Sequence, residues 1–319
     1  MNQIDISIII LNYNTSGQVI RLLNSIVKYL DLNRLEVIVA DNNSKDKSKL
    51  EQIKEFDFVN FLSFNMNSGF ATGNNDAANK AKGKYLLFLN HDIELLDNSI
   101  EKLPQIFSNE INPGILSGLL VNYDYSLQYC FNDFPGLLWE FFLMVGNGYK
   151  RKINRQLQKK EISEGKNFDV DWFHGAFIFI DNKLFEEIGG FNEKHFMYGE
   201  DVELCYKVKK DYKKRNICIP NIRLYHETKS SVKDNKNDDL YNFHINRGKL
   251  LIFENYNRIY NYLLKLILII GTIIRVIALP FWKKFRGFKR QKLMQLLKIL
   301  EIIFSKKKLI NSKYEYVSR

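Results

Sequence analysis

The chain is poor in cysteine, poor in long uninterrupted apolar stretches and, over most of its length, poor in net charge. Its three cysteines, Cys130, Cys205 and Cys218, are odd in number and show no CxxC spacing. That pattern excludes a disulfide framework and a cysteine-ligated zinc site and fits a reducing compartment. No basic segment precedes Ile6–Leu11, and this apolar run is too short for the core of a secretion signal, so none is expected. No GxGxxG follows it either, which removes the phosphate-binding turn of a dinucleotide oxidoreductase.

What is present reads as globular: 319 residues, 45% hydrophobic and 26% charged, enough for one large domain or two small ones. The net charge of +11 is uneven. Residues 255–319 carry 15 Lys and Arg against 2 Asp and Glu, whereas residues 1–254 carry 32 against 34. The basicity belongs to the tail, and a near-neutral body is not the surface of a nucleic-acid binder.

Ile6–Leu11 reads as a buried parallel strand, and Ser16 to Tyr29 as a helix with Leu22, Leu23, Ile26 and Leu30 on one face. Strands are expected at Leu35–Ala40, Phe58–Phe64 and Lys84–Leu89, with helices from about Lys47 and over Ala71–Ala81. This alternation predicts an α/β fold: a mostly parallel sheet flanked by helices and joined by right-handed crossovers. Such a sheet binds ligands outside the carboxyl ends of its strands. Polar clusters stand at those ends: Asn12-Tyr13-Asn14, Asp41-Asn42-Asn43-Ser44 and Asn90-His91-Asp92. An Asp there can hold Mg²⁺ or Mn²⁺ through oxygen, although strand-to-turn junctions favour Asn and Asp in any case.

Residues 121–167 lack a clean period and are rich in aromatics, consistent with an acceptor pocket or with local packing. Phe168–Ile180 is strand-like with Gly175-Ala176 inside it, and a glycine there often marks the close approach of a ligand or another backbone. A short helix over Leu184–Ile188 stops at Gly189-Gly190, and a second covers Val202–Lys210. Glu200 and Asp201 precede that second helix, where acids also serve its dipole. His226 ends a further strand-like segment.

Taken in order, these segments resemble inverting glycosyltransferase family 2, with its GT-A (Rossmann-like) fold, from Ile6 to about Tyr256. Ser7–Asn14 looks like the family's first strand, and Val39–Ser44 like its base and ribose loop. Asn67-Ser68-Gly69-Phe70-Ala71-Thr72-Gly73-Asn74-Asn75 is similar to the rhamnosyltransferase-like branch. Asn90-His91-Asp92 stands at the DxD position, and Gly190–Glu193 followed by Glu200–Cys205 is like the acceptor and base region. Two departures stand out: the triplet opens with Asn, leaving Asp92 most of the metal charge, and the role of His91 is open.

The resemblance implies inverting transfer of a sugar from a nucleotide diphosphate sugar, dTDP-rhamnose or a UDP-sugar, to an acceptor hydroxyl. The acceptor would be a lipid-linked or surface polysaccharide glycan. It implies Asp201 as general base and Glu200, Trp172, His174 and Gly175 on the acceptor side. Leu11, Asn12, Tyr13, Asn14, Asp41, Asn43, Asn67, Gly69, Phe70, Asn74, Asn90, His91 and Arg247 would bind the nucleotide sugar. Asp92 and His226 would take a divalent cation, Mn²⁺ or Mg²⁺. The alternative is a non-catalytic sugar-nucleotide-binding or scaffold protein, which would be expected to lose Asp92 or Asp201. No QxxRW motif of a processive synthase is present.

On this reading residues 1–254 form the GT-A domain, with the donor part at 1–120 and the acceptor and catalytic part at 121–254. Residues 255–319 form a helical, basic and apolar tail. Tyr262–Leu279 is strongly apolar but interrupted by Lys265 and Arg275, and Lys and Arg mixed with aromatics follow it. That pattern predicts an interfacial anchor on an anionic membrane, peripheral on its cytoplasmic face, with a spanning helix and a packed helical cap as alternatives. The oligomeric state, a homo-oligomer included, is left open.

Overall fold

The computed structural model describes residues 4–128, 130–144, 160–227, 237–256, 258–281 and 289–304. The chain forms two compact units. The first comprises Met1–Phe134, Glu161–Phe196 and Glu200–Ser230, and the second Pro135–Lys160, Met197–Gly199 and Ser231–Arg319.

The first unit opens with β1 (Ile6–Asn12), α1 (Ser16–Tyr29), β2 (Leu35–Asp41), α2 (Lys47–Lys54), β3 (Val59–Ser63), α3 (Phe70–Ala78) and β4 (Tyr85–Asn90). α1 covers the span that its period indicates, burying Val19, Leu22, Leu23 and Ile26. β3, β2, β1 and β4 are neighbours in that order, all parallel. β1 is mostly apolar, with only Ser7 and the terminal Asn12 polar, because helices cover both faces of such a sheet. α3 ends three residues before the expected Ala81, and Lys80 and Ala81 donate back to Ala77 and Ala78 in a tight turn. The turn brings Gly83 against β1, where an added Cβ would lie 2.5 Å from the Ser7 amide nitrogen.

Next come β5 (Ile93–Leu95), α4 (Leu103–Asn109), β6 (Pro113–Val121) and β7 (Phe131–Asn132), followed by α5 (Leu137–Met144) of the second unit. The first unit resumes with β8 (Phe168–Val170), β9 (Trp172–Phe173), β10 (Phe177–Asp181), α6 (Asn182–Ile188), α7 (Glu200–Lys210) and β11 (Arg215–His226). The sheet continues from β4 through β10, β6 and β11 to β5, with β8 also on β11. β10 runs antiparallel to both its neighbours, β6 and β11 are parallel, and β5 and β8 are antiparallel to β11. The fold is therefore α/β, with a parallel first half and a mixed second half.

The single strand expected over Phe168–Ile180 is three short ones. The chain leaves the sheet at Asp171, whose carboxylate is taken by Lys209 (2.7 Å) and by the Phe134 amide (2.8 Å). It leaves again at Gly175, whose amide donates to Asp201.

The second unit continues with α8 (Asn237–Tyr256), α9 (Arg258–Ala278) and α10 (Lys289–Phe304). The domain boundary drawn after residue 254 falls inside α8, because α8 packs on α9 and α10. Leu250, Phe253, Leu264 and Leu268 form its core, and the buried Glu140 carboxylate pairs with Lys249 at 2.8 Å. α9 buries Leu264, Leu268 and Thr272 but exposes Tyr262, Ile270, Ile273, Ile274 and Ile277. Tyr129, the 145–159 part of the aromatic insertion and the basic runs 282–288 and 306–308 lie outside the described residues.

Candidate active site

Every candidate site residue named from the sequence except Arg247 lies in the first unit. At the carboxyl ends of β1 and β2, Asn12 donates to Asp41 (2.8 Å), to Ser16 (3.0 Å) and to Ser44 (3.2 Å). Asp41 is fully buried, and its second oxygen accepts the Ser44 amide at 3.0 Å. Instead of standing open to a base or ribose, Asp41 locks the loop that follows it. The reason is geometric: it pairs in register with Asn12 across adjacent parallel strands. Asn14 and Asn43 are exposed, with φ of 58° and 66°, the left-handed region that Asn tolerates best among non-glycine residues. Tyr13 and Leu11 are partly buried beside them.

Asn42, which the sequence reading quoted only as part of a motif, joins this loop to the next. Its Nδ2 donates to the Asn67 side chain (3.1 Å) and to the Gly69 carbonyl (3.0 Å). Gly69 has φ of 90°, and a Cβ there would lie 2.4 Å from the Phe196 carbonyl oxygen. Only glycine fits at that approach. The Phe70 amide then donates to the same oxygen at 2.7 Å. Asn74 is buried and donates to the Phe70 carbonyl inside α3, so its amide is turned into the helix rather than toward a ligand. Asn75 holds Phe191 by a two-way amide pair, 2.9 and 2.8 Å.

The end of β4 delivers Asn90, His91 and Asp92. Asp92 is buried, and His226, at the end of β11, brings Nε2 to 3.4 Å from Asp92 Oδ1. Gln128 sets the tautomer of that imidazole. Its Nε2 donates to the His226 carbonyl (2.7 Å) and to Asn122 Oδ1 (2.9 Å), so its Oε1 must be the acceptor facing His226 Nδ1 at 2.8 Å. Nδ1 therefore carries the proton, and a neutral His226 turns a lone pair toward the Asp92 carboxylate. Two electron donors so disposed fit a shared cation, and an orienting partner on the other ring nitrogen is the usual support of a metal-binding His. Burial lowers the pKa of His91 first, with His226 adding to that and Asp92 opposing it.

Asp201 opens α7, and its two oxygens accept the amides of Gly175 (2.9 Å) and Val202 (2.8 Å). The Gly175 position is close-packed, since a Cβ there would meet Asp201 Cβ and Phe70 at 3.5 Å. His174 stacks on Trp172, ring centroids 5.2 Å apart, and Trp172 donates to the Asp133 carbonyl. The protein wall lowers the His174 pKa first; Asp201 opposes that shift and His226 reinforces it. His174 thus lies within electrostatic reach of both the Asp201 corner and the Asp92–His226 corner. Glu200 is buried, its Oε2 has no hydrogen-bond partner among the described residues, and burial followed by the Asp201 charge holds its pKa well above the ordinary carboxylate value. Glu203, one helical turn on, is held by Asn192 and by His195 at 2.7 Å.

Arg247 belongs to the second unit, where it is buried in α8; burial lowers both its pKa and that of His244, the latter to about 4. Gln128, Asn42 and the His195–Glu203 pair were missed as site residues. None sits in a spacing that carries chemistry by itself, and only the fold brings them to their partners.

Residues 7–188 match the model of glycosyl transferase family 2, and the chain belongs to that family. Among curated relatives, it is 28% identical to the low-salt glycan biosynthesis hexosyltransferase Agl10 of Haloferax volcanii, over 65% of this chain and 62% of the relative. It is 25% identical to N-acetylglucosaminyl-diphospho-decaprenol L-rhamnosyltransferase of Mycobacterium tuberculosis, over 53% of this chain and 59% of that one. The chain thus spans about three-fifths of the length of these relatives. The fold is shared with the mannosyltransferase PcManGT from Pyrobaculum calidifontis, solved in complex with GDP-Man and Mn²⁺. The TM-score is 0.59 at 15% identity, covering 96% of this chain and 89% of that one.

Proposed function

We propose that the chain is an inverting glycosyltransferase that moves a sugar from a nucleotide diphosphate donor to a hydroxyl of a lipid-linked or surface glycan. Support comes from the names of its relatives, which include a rhamnosyltransferase and a hexosyltransferase, and from the geometry of the first unit. The observations that carry the reading are Asp201, pinned by two amides of which one is that of Gly175 next to His174, and the Asp92–His226 pair.

In this reading Asp201 takes the proton from the acceptor hydroxyl as its oxygen bonds to the anomeric carbon. The carbon–oxygen bond to the diphosphate breaks on the opposite face, and the nucleoside diphosphate leaves. Trp172, His174 and Gly175 line the acceptor side, with Glu200 behind them. Asn14, Asn43 and the loop that Asp41 locks receive the base and ribose, while Asn67, Gly69 and Phe70 shape the neighbouring wall. Asn90 and His91 are assigned to the diphosphate. Asp92 and His226 would hold a divalent cation, Mn²⁺ or Mg²⁺, which when bound neutralises charge on the diphosphate as a Lewis acid.

The donor is dTDP-rhamnose or a UDP-sugar. A membrane-peripheral location on the cytoplasmic face follows from a lipid-linked acceptor and from α9, whose outer face is apolar. Calorimetric titration with UDP- and dTDP-sugars tests the donor site. Expected is binding that strengthens when Mn²⁺ is added, an increment that Asp92→Ala removes. Equal binding with and without metal would overturn the metal assignment, and no binding of any donor would overturn the transferase reading.

A further inference from the structure

Apart from the site just described, the first unit contains a cavity of about 450 Å³ beside α1, lined among others by Arg21, Tyr29, Glu94, Tyr123, Tyr125 and Tyr225. It lies against the ribbon that β5 and β11 make. Glu94 pairs in register with Tyr225, and His226 is the next residue on β11. Successive strand residues face opposite ways, so the cavity is on the reverse side of the ribbon from His226.

Three observations describe what could occupy it. First, its walls offer tyrosine faces to solvent. Tyr123 stacks on Tyr225 with ring centroids 3.9 Å apart, yet stays 72% exposed, and Tyr125 is 67% exposed. Second, Tyr125 has φ of 59°, an outlier for a bulky side chain. The turn around it enforces this: its amide donates to the Asn122 carbonyl, the Asn122 amide to the Ser126 carbonyl, and the Ser126 amide to Asp124. Strain kept by such a turn presents the ring outward, and outliers of this kind cluster at ligand clamps. Third, the charges at the rim are already matched. Arg21 pairs with Glu94 (3.0 Å) and Glu227 (2.6 Å), and Lys28 sits over the Tyr29 ring at 4.6 Å. The two cations that line the cavity, Arg21 and Lys28, thus already face two carboxylates and an aromatic ring, and fixed polar groups surround the tyrosines.

An electrically balanced cavity with aromatic faces and polar edges suits a neutral, polyhydroxylated ligand. The C–H groups on one face of a pyranose are slightly positive and meet the negative face of a tyrosine ring. The outward hydroxyls would meet Glu94 and Arg21 at the rim. The volume is within the range of small-ligand sites. We propose that this cavity is a second carbohydrate-binding site, taking a neutral pyranose unit of a glycan on the Tyr123 and Tyr125 faces. Its position behind the ribbon that ends in His226 makes it separate from the transfer site, and its binding does not depend on the transfer reading.

The test is saturation-transfer NMR on the full chain in a sugar-free detergent. The probes are the methyl glycosides of glucose, galactose, mannose, rhamnose and N-acetylglucosamine, with uridine as a stacking control. Expected is transfer to the ring C–H protons of at least one glycoside, reduced at least fivefold in both Tyr123→Ala and Tyr125→Ala, with Asp201→Asn unchanged. Both tyrosines are exposed, and an unchanged melting temperature verifies that the variants fold. No transfer to any glycoside, transfer to uridine alone, or transfer that both tyrosine variants leave intact would overturn the proposal.

Discussion

Asp201 and Glu200 are sequence neighbours with opposite fates. Asp201 keeps two amide donors, whereas Glu200 is buried, with one carboxyl oxygen that has no hydrogen-bond partner among the described residues. Asp201→Asn is therefore expected to lower kcat about 10²- to 10⁴-fold, the usual range for a general base, with donor affinity unchanged in calorimetry. Glu200 leads to a pH prediction. Its folded-state pKa is raised, while the unfolded chain releases the proton near the ordinary 4.5. Above that pH the unfolded state binds fewer protons than the folded one, so stability falls as pH rises until the raised value is passed. Glu200→Gln removes this slope, and denaturant melts should show the variant gaining on the wild type between about pH 5 and about pH 7. Gln128 acts through His226. Gln128→Leu should weaken Mn²⁺ binding about 10- to 100-fold, as loss of an orienting partner usually does, without altering the fold by circular dichroism.

At the scale of elements, the first four strands and the helix Ser16–Tyr29 were legible because their patterns are local. The apolar runs are continuous, their ends are polar, and the helix keeps its period. The two breaks in Phe168–Ile180 were not legible, because the partners that draw the chain away are distant in sequence: Lys209 and Phe134 for Asp171, and Asp201, 26 residues away, for Gly175. The same holds for Asp41, which reads as an open ligand contact until β1 and β2 are set side by side. The cluster of polar strand ends was legible, and the fold sets His226 Nε2 3.4 Å from Asp92 Oδ1. Their orientation by Gln128 needed the fold. Gly69 gives the sharpest test at this scale. Gly69→Ala puts a Cβ 2.4 Å from the Phe196 carbonyl at φ of 90°, which should destabilise the protein by about 1–3 kcal/mol. Donor binding should weaken as well, since Asn42 holds this same turn.

At the scale of the whole molecule, the charge and the apolar surface both concentrate in the tail. α9 is long and apolar enough to cross a membrane, but 28% of its most apolar window is buried against protein, so one face is already used. The other face carries Ile270, Ile274 and Ile277, with Lys283, Lys284 and Arg286 next in the sequence. A helix with such a face, if it met an anionic bilayer, would gain from both acyl contact and anionic headgroups. Full-length protein should sediment with vesicles containing phosphatidylglycerol, and the double change Ile270→Asp with Ile274→Asp should reduce this at least tenfold. Transfer chemistry is the central claim, and nucleoside diphosphate release tests it most directly. Purified protein is incubated with UDP-, dTDP- and GDP-sugars, Mn²⁺ or Mg²⁺, and membrane extract as acceptor source, beside Asp92→Ala and Asp201→Ala. Expected is metal-dependent release from one donor, lost in both variants. Release that survives Asp201→Ala, or none from any donor, would contradict it.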